Sequence, residues 1–245
     1  FVQNFLALNS GPSAVHWLGT DHMGRDVFSR LVSGARQTLI VGFGGTVVAF
    51  FLGGALGLFG LALGRWGELA VFAFIDLVRA VPGILMALLI IVAVGAGTGP
   101  VTLALGISFA PFFAYVARAA YKREAAQDYV RVAPLFGGGK LHILQLHILP
   151  NLFGSLITQA AIILPRCIVT ESVLSFLGLG SSPDAPTWGR MISDGSRYLE
   201  VAPHAILVPI GALAALTVSL LILGDAFRER FDPLRSAGSD DGRAS

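Results

Sequence analysis

The sequence is poor in charged side chains and in cysteine. Charged residues make up 13% of its 245 residues, about half the share of roughly 25% that soluble domains carry. The formal net charge is only +2, which does not indicate the basic surface that nucleic acids require. A single cysteine, Cys167, excludes an internal disulfide and a cysteine-ligated metal cluster.

The sequence also lacks the common motifs of enzyme active sites, such as G-x-S-x-G and H-E-x-x-H. Gly139-Lys140 matches the end of a Walker A loop, but Pro134 occupies the position of the loop's first glycine. Leu141 follows the lysine, so the hydroxyl that binds magnesium is missing. The glycines before Lys140 therefore predict a break between two short helices instead of a nucleotide site.

One group of polar residues near the start could gather a divalent ion, namely His16, Asp21, His22 and Asp26. Their spacing matches no established metal motif. A solvated loop is the favoured interpretation.

Apolar residues and glycine are abundant. The chain is 54% hydrophobic with 30 glycines, and its mean hydropathy is +0.74. A helix needs about 20 apolar residues to cross a bilayer core of about 30 Å. Five stretches predict such spans, at residues 37–64, 68–94, 101–117, 148–178 and 201–224. Because these runs are long and do not alternate with period two, we expect an all-α, polytopic integral membrane protein.

Loop charges predict the orientation of these spans. Ten Lys and Arg residues lie on one side, in the turn at Arg65, in the loop 118–147 and after residue 225, against five on the other side. Positive residues favour the cytoplasm, so we expect the loop 118–147 and the polar tail 228–245 to be cytoplasmic. The tail is expected to be disordered. The N-terminus is then outside, which suggests that a first span precedes residue 1.

Four charged residues fall within predicted spans: Asp76, Arg79, Arg166 and Glu171. Charges at membrane depth are costly and face a cavity or a partner. Two interpretations stay open, an ion pair that holds helices together and the lining of a solute path or gate. Asp76 and Arg79 share a helical face and could pair, while Pro82 is expected to weaken or kink its helix.

The predicted cytoplasmic loop contains a short amphipathic element. Leu141, Leu144 and Ile148 recur at helical spacing, so we predict a short helix that ends at Pro150. It either lies on the membrane surface or docks a cytoplasmic partner.

Four segments together resemble the permease subunits of binding-protein-dependent ABC importers, in the dipeptide, oligopeptide and nickel group. They are "HWLGTDHMGRDVFSRLVSGARQTL" (16–39), "DLVRAVPGILMALL" (76–89), "DYVRVAPLFGGGKLHILQLHILPN" (128–151) and "ESVLSFLGLGSSPDAPTWGRMISDGSRYL" (171–199). The family's coupling signature reads E-A-A, three residues, G, nine residues, I-x-L-P. The literal Glu-Ala-Ala at 124–126 fails on register, because the glycine would fall on Val130.

Counting back from Leu149-Pro150 places the signature at residues 131–133 and at Gly137. Ala133, Gly137, Leu149 and Pro150 match it. The chain departs from the pattern at Arg131, Val132, Pro134 and His147.

The resemblance implies a type I permease bundle with five spans in this chain. It also implies an external segment (1–36), a transmembrane domain (37–227) with a coupling loop (118–150), and the tail (228–245). The loop residues expected to contact an ATPase are Arg131, Ala133, Gly137, Leu141, Leu144, Leu149 and Pro150. ATP and magnesium would reside in two ATP-binding partners, so the chain itself is expected to hold no cofactor or metal and to be no enzyme.

The resemblance further implies a second permease subunit, an external solute-binding protein and a bacterial inner-membrane location, without fixing the solute. Two other functions are alternatives, an ATP-independent secondary transporter or channel and a membrane assembly subunit without transport.

Overall fold

The computed structural model describes residues 4, 6–132, 142, 144–180 and 185–231. The helices of this part are α1 (Val27–Ala62), α2 (Gly64–Ala80), α3 (Gly83–Val94), α4 (Thr98–Ala125), α5 (Asp128–Val132), α6 (Leu149–Phe176), α7 (Trp188–Ser196) and α8 (Pro203–Phe231). A π-helical turn, Leu144–Ile148, leads directly into α6. The predicted all-α architecture is confirmed.

Helices α1, α4, α6 and α8 are each long and apolar enough to cross a membrane, and α2 with α3 supplies a fifth span if the bent pair counts as one. This agrees with five predicted spans. The helices extend beyond the predicted apolar runs at half of their ends. Helix α8, for example, continues to Phe231, so the start of the predicted disordered tail at residue 228 is wrong. The remaining tail residues, 232–245, lie outside the described part of the chain.

Helix α1 begins at Val27, before the predicted apolar span at 37–64. Its 36 residues correspond to about 54 Å at 1.5 Å per residue, well beyond a hydrocarbon core of about 30 Å. Asp26 starts the helix, because its carboxylate accepts a hydrogen bond from the Ser29 N–H at 2.8 Å. The first turns of α1 therefore stand outside the membrane as a platform for the external segment.

The predicted single span 68–94 is two helices, since α2 and α3 meet at an angle of 89°. Val81 is extended, with φ −84° and ψ 126°. The residue before a proline is disfavoured in the helical region, and Pro82 has no N–H to continue the ladder. The proline thus breaks the helix completely instead of kinking it.

Glycines let α1 approach α4 closely. A Cβ on Gly53 would lie 2.1 Å from the Ala110 carbonyl oxygen, and one on Gly57 would lie 2.6 Å from the Ala114 oxygen. Small residues permit such contacts in membranes, where helix association depends on packing and not on the hydrophobic effect. Around this contact lies a core of fully buried side chains that includes Leu105, Phe113 and Ile163.

The other elements surround this core. Glu68 on α2 forms ion pairs with Arg118 and Lys122 of α4. Helix α7 lies against the outer ends of α1 and α6, where the Trp188 indole donates to the Leu31 carbonyl at 2.9 Å. Helix α8 is peripheral, and only 6% of its most apolar stretch is buried. Its sides are therefore available to lipid or to other chains.

We expect Gly53→Ala to destabilise the bundle, because the added methyl group would overlap the carbonyl oxygen of Ala110 on α4. This oxygen belongs to the backbone, so it cannot move aside as a flexible side chain would. Overpacking of this kind costs about 1–3 kcal/mol. Thermal unfolding of the detergent-purified chain measures the effect. Gly211→Ala is the matched control, since a Cβ there meets nothing within 4 Å, and equal melting temperatures of the two variants would contradict the packing described.

Candidate functional site

The end of α4, helix α5 and the start of α6 are joined by one carboxylate. Glu124 is 8% exposed. Its Oε2 accepts hydrogen bonds from the Tyr129 hydroxyl at 3.0 Å and from the Asn151 amide at 3.2 Å. Its Oε1 lies 3.1 Å from Nε of Arg123. We call these contacts the Glu124 junction, and they fix the start of α6 to the end of α4.

The Tyr129 hydroxyl is protonated at neutral pH. Partial burial of the phenol, followed by its hydrogen bond to the Glu124 carboxylate, raises the pKa of Tyr129 above its usual value of 10.0. The hydroxyl therefore stays protonated and donates to Glu124 throughout the physiological range.

An apolar cluster supports the junction from the side of the loop. Val130 of α5 and Ile148 of the π-helical turn are buried together, with Leu144, Tyr121 and Ala125 packed against them. Two residues after Leu144, Leu146 is 61% exposed. The turn thus directs one leucine into the chain and presents the other at the surface.

The predicted coupling residues fall partly outside the described chain. Ala133, Gly137 and Leu141 lie outside it, and the backbone of Arg131 belongs to α5. Leu144 packs inward, and Leu149 begins α6.

The prediction that a helix ends at Pro150 is wrong. Pro150 lies in the first turn of α6. Proline is tolerated at the start of a helix, because its fixed φ angle already suits the helical conformation.

The sequence reasoning missed Glu124, because it discarded residues 124–126 on register alone. The partners of Glu124 are five and 27 residues away in the chain, beyond the reach of spacing rules. One signal was present, since Glu124 is an acid that directly follows the bases Lys122 and Arg123 in the predicted loop 118–147.

Asp76 and Arg79 do not pair with each other. The Asp76 carboxylate accepts from the Tyr115 hydroxyl at 2.5 Å, and the Arg79 guanidinium lies 4.9 Å from the Tyr115 ring centroid and 5.5 Å from that of Phe112. Both residues hold α2 to α4 just before the break at Pro82, by a hydrogen bond and by cation–π contacts.

Arg166 and Glu171 occupy different surroundings on α6. Glu171 is completely buried and accepts from the Ser175 hydroxyl at 2.6 Å, with the Ser172 hydroxyl at 3.4 Å. Arg166 is exposed and borders a cavity of about 450 Å³ between α3, α4, α6 and α8. The structure therefore separates the two residues instead of pairing them.

The segments around the start of α1 and in α7 are held together by ion pairs. Arg30 is buried and bonds to Asp21, while Asp194 lies 3.2 Å from Arg30 and 3.5 Å from Arg25. Burial alone would raise the pKa of Asp21, but the backbone N–H groups of Arg25 and Met23 and the Arg25 guanidinium outweigh it and lower that pKa.

Two of the four residues considered for a divalent ion, Asp21 and Asp26, form contacts with other side chains. Asp21 is buried with arginines, so it does not lie in a solvated loop as favoured from the sequence. Asp26 caps α1 and contacts His16 at 3.1 Å. Among the described residues, no group of three His, Cys, Asp or Glu side chains is placed to bind a metal ion.

Comparison with known proteins gives a consistent result. Residues 49–236 match the family described as "Binding-protein-dependent transport system inner membrane component". The chain is 34% identical over 226 residues to the glutathione transport system permease protein GsiD of Pectobacterium atrosepticum, covering 92% of this chain and 75% of that protein. It is 34% identical over 223 residues to the dipeptide transport system permease protein DppC of Alkalihalophilus pseudofirmus, covering 91% and 73%.

The fold is also similar to those of solved transporters. A chain of the MetNI methionine ABC transporter in an inward-facing conformation superposes with a TM-score of 0.66 at 19% identity, covering 84% of this chain and 97% of that one. A chain of an amino acid ABC transporter with histidines gives a TM-score of 0.67 at 15% identity, covering 83% and 94%. At these identities the likeness concerns the fold alone.

Replacing Glu124 by Ala should loosen this end of the bundle, because it removes the shared acceptor of Tyr129 and Asn151. Tyr129 is 43% exposed and Asn151 is also exposed, so we expect a loss of about 0.5–1.5 kcal/mol, the net contribution of a typical hydrogen bond. Thermal unfolding and protease cleavage between α4 and α6 measure the loss. Glu200→Ala, at an exposed external position, serves as control, and an equally small effect of both changes would show that the junction is unimportant.

Proposed function

The chain belongs to the inner membrane components of binding-protein-dependent transport systems, and from this premise we propose that it forms half of the translocation path of an ATP-driven importer. It is a multi-pass membrane permease. A second, related permease subunit supplies the other half. Two ATP-binding subunits contribute the energy, and a solute-binding protein delivers the solute from outside, across the inner membrane of a bacterium.

We propose a peptide-like solute. Two relatives that align over nine-tenths of this chain are named for glutathione and for dipeptides. Both solutes are small, contain amide bonds and carry at least one carboxylate at neutral pH. The charged side chains predicted for such a path are Asp76, Arg79, Arg166 and Glu171, and among these four Arg166 borders a cavity.

The Glu124 junction is the observation that carries the proposed coupling to ATP hydrolysis. An element that transmits movement between an ATPase and the membrane helices has to be attached firmly to those helices. The junction and the cluster around Val130 and Ile148 attach the loop between α4 and α6 at both of its ends. A displacement of the loop would therefore move α4 and α6 together.

The proposed contact surface for an ATPase consists of the predicted loop residues, extended by Leu146. Leu144 supports this surface from within, whereas Leu146 is exposed and apolar on the same turn. An exposed apolar side chain on a short helical turn can enter an apolar groove of a partner protein. ATP and magnesium are proposed to bind only in that partner, so this chain acts as a permease and not as an enzyme.

Leu146→Asp is expected to uncouple the importer without unfolding this chain, because a charge would be placed where an apolar anchor enters the ATPase. We expect the co-purified ATPase to fall at least about tenfold, which matches the loss of one hot-spot contact of about 2 kcal/mol. The measurement is affinity capture of the permease from membranes, with immunodetection of the ATPase.

Leu199→Asp is the matched control, since Leu199 is similarly exposed but lies at the opposite end of the bundle, after α7. Full retention of the ATPase by the Leu146→Asp variant would refute this contact surface. Absence of any ATPase from the unmodified chain would refute the importer function as a whole.

A further inference from the structure

The structure assigns to Arg166 the recognition of a solute carboxylate inside the membrane, in the cavity between α3, α4, α6 and α8. This inference rests on the proposed function, because it takes the cavity to be part of the translocation path. It names one recognition residue and the chemical group that the residue binds.

Arg166 lies within the hydrocarbon layer. It follows the start of α6 at Leu149 by 17 residues and precedes the end at Phe176 by ten, which are distances of about 26 Å and 15 Å along the helix. An arginine so far from both ends cannot reach either membrane surface easily. Contact with lipid tails is strongly disfavoured for a charged side chain, so Arg166 has to face water, a cavity or a counter-ion.

The described part of the chain supplies no counter-ion to Arg166. Its guanidinium makes no hydrogen bond, ion pair or ring contact with any described residue. The nearest acid along α6, Glu171, is buried against Ser172 and Ser175, and Asp76 accepts from Tyr115. A cation without a counter-ion thus borders a cavity of about 450 Å³, a volume typical of sites for small solutes.

The other walls of the cavity suit the rest of a peptide-like solute. Phe109 and Phe112 provide an apolar side. Three hydroxyls also border the cavity, those of Ser108, Thr170 and Thr217, and each donates its proton to a carbonyl of its own helix. Their oxygens can therefore still accept hydrogen bonds from an amide or ammonium N–H. A guanidinium fork for the carboxylate, hydroxyl acceptors for N–H groups and an aromatic wall are complementary to a short peptide.

Thiol labelling with charged reagents measures the electrostatic potential that Arg166 creates in the cavity, in the assembled importer. The native Cys167 is fully buried, so the unmodified chain serves as the background. Val169→Cys places a reporter thiol at a cavity position that is 38% exposed. Its labelling rates are compared for the anionic sulfonatoethyl and the cationic trimethylammonioethyl methanethiosulfonates, with Arg166 intact and in Arg166→Gln.

We expect the ratio of anionic to cationic labelling to fall about tenfold on Arg166→Gln, since a unit charge within about 10 Å acts on the two reagents in opposite directions. Ser193→Cys, in the external segment on α7, is the control, and its ratio should not change. An unchanged ratio at Val169→Cys, as would follow if a carboxylate of the second permease already neutralised Arg166, would overturn the proposal.

Protection by a small peptide identifies the group that is bound. Millimolar alanylalanine should slow labelling of Val169→Cys when Arg166 is present and not in Arg166→Gln. Alanylalanine amide, which lacks the carboxylate, should protect in neither. Equal protection by peptide and amide would refute carboxylate recognition, whereas co-purification of the ATPase, measured on the same membranes, reports separately on the importer function.

Discussion

The carboxylate of Glu124 connects the long helices α4 and α6 to the loop between them, and the proposed coupling depends on it. Its two oxygens draw together residues from the end of α4, from α5 and from the start of α6. Hydrogen bonds to a charged and largely buried acceptor are stronger than those between neutral groups. Because these bonds lie at the base of the loop, a force on the loop acts on both long helices and not on a flexible connection.

The cost of placing charge in a membrane organises the other polar residues. Asp76, Arg79 and Glu171 each have partners within the chain, a tyrosine hydroxyl, aromatic rings and serine hydroxyls respectively. These contacts favour a structural role in joining α2 to α4 and in fixing the outer end of α6. Arg166 differs from all three because it faces a cavity, and this contrast makes it the strongest of the four for a role in the path.

Much of the fold follows from the sequence, because apolar length and glycine content are local properties. The five spans, the disruption at Pro82 and the all-α class were predictable for that reason. The completeness of the break was not, since a proline alone leaves open whether a helix bends or ends. The boundaries of α1 and α8 were also misjudged, because a helix extends beyond the membrane wherever neighbouring polar contacts support it, as Asp26 and Ser29 do for α1.

The candidate site was less predictable than the fold. Amphipathic spacing grouped Leu141, Leu144 and Ile148, but it could not show that Leu144 and Ile148 pack on Val130 while Leu146 is exposed. The π-helical turn changes the angular positions of these residues, so a pattern based on 3.6 residues per turn misassigns them. Contacts between distant residues, such as Glu124 with Asn151, have no periodic signal at all.

The central claim is that the exposed turn before α6 meets the ATP-hydrolysing partner. A photoreactive benzophenone amino acid in place of Leu146, in membranes that contain all subunits, tests this contact most directly. The account predicts an ultraviolet-dependent cross-link to the ATPase from position 146 and none from position 199. Cross-links from position 146 only to lipid or to the second permease would contradict it.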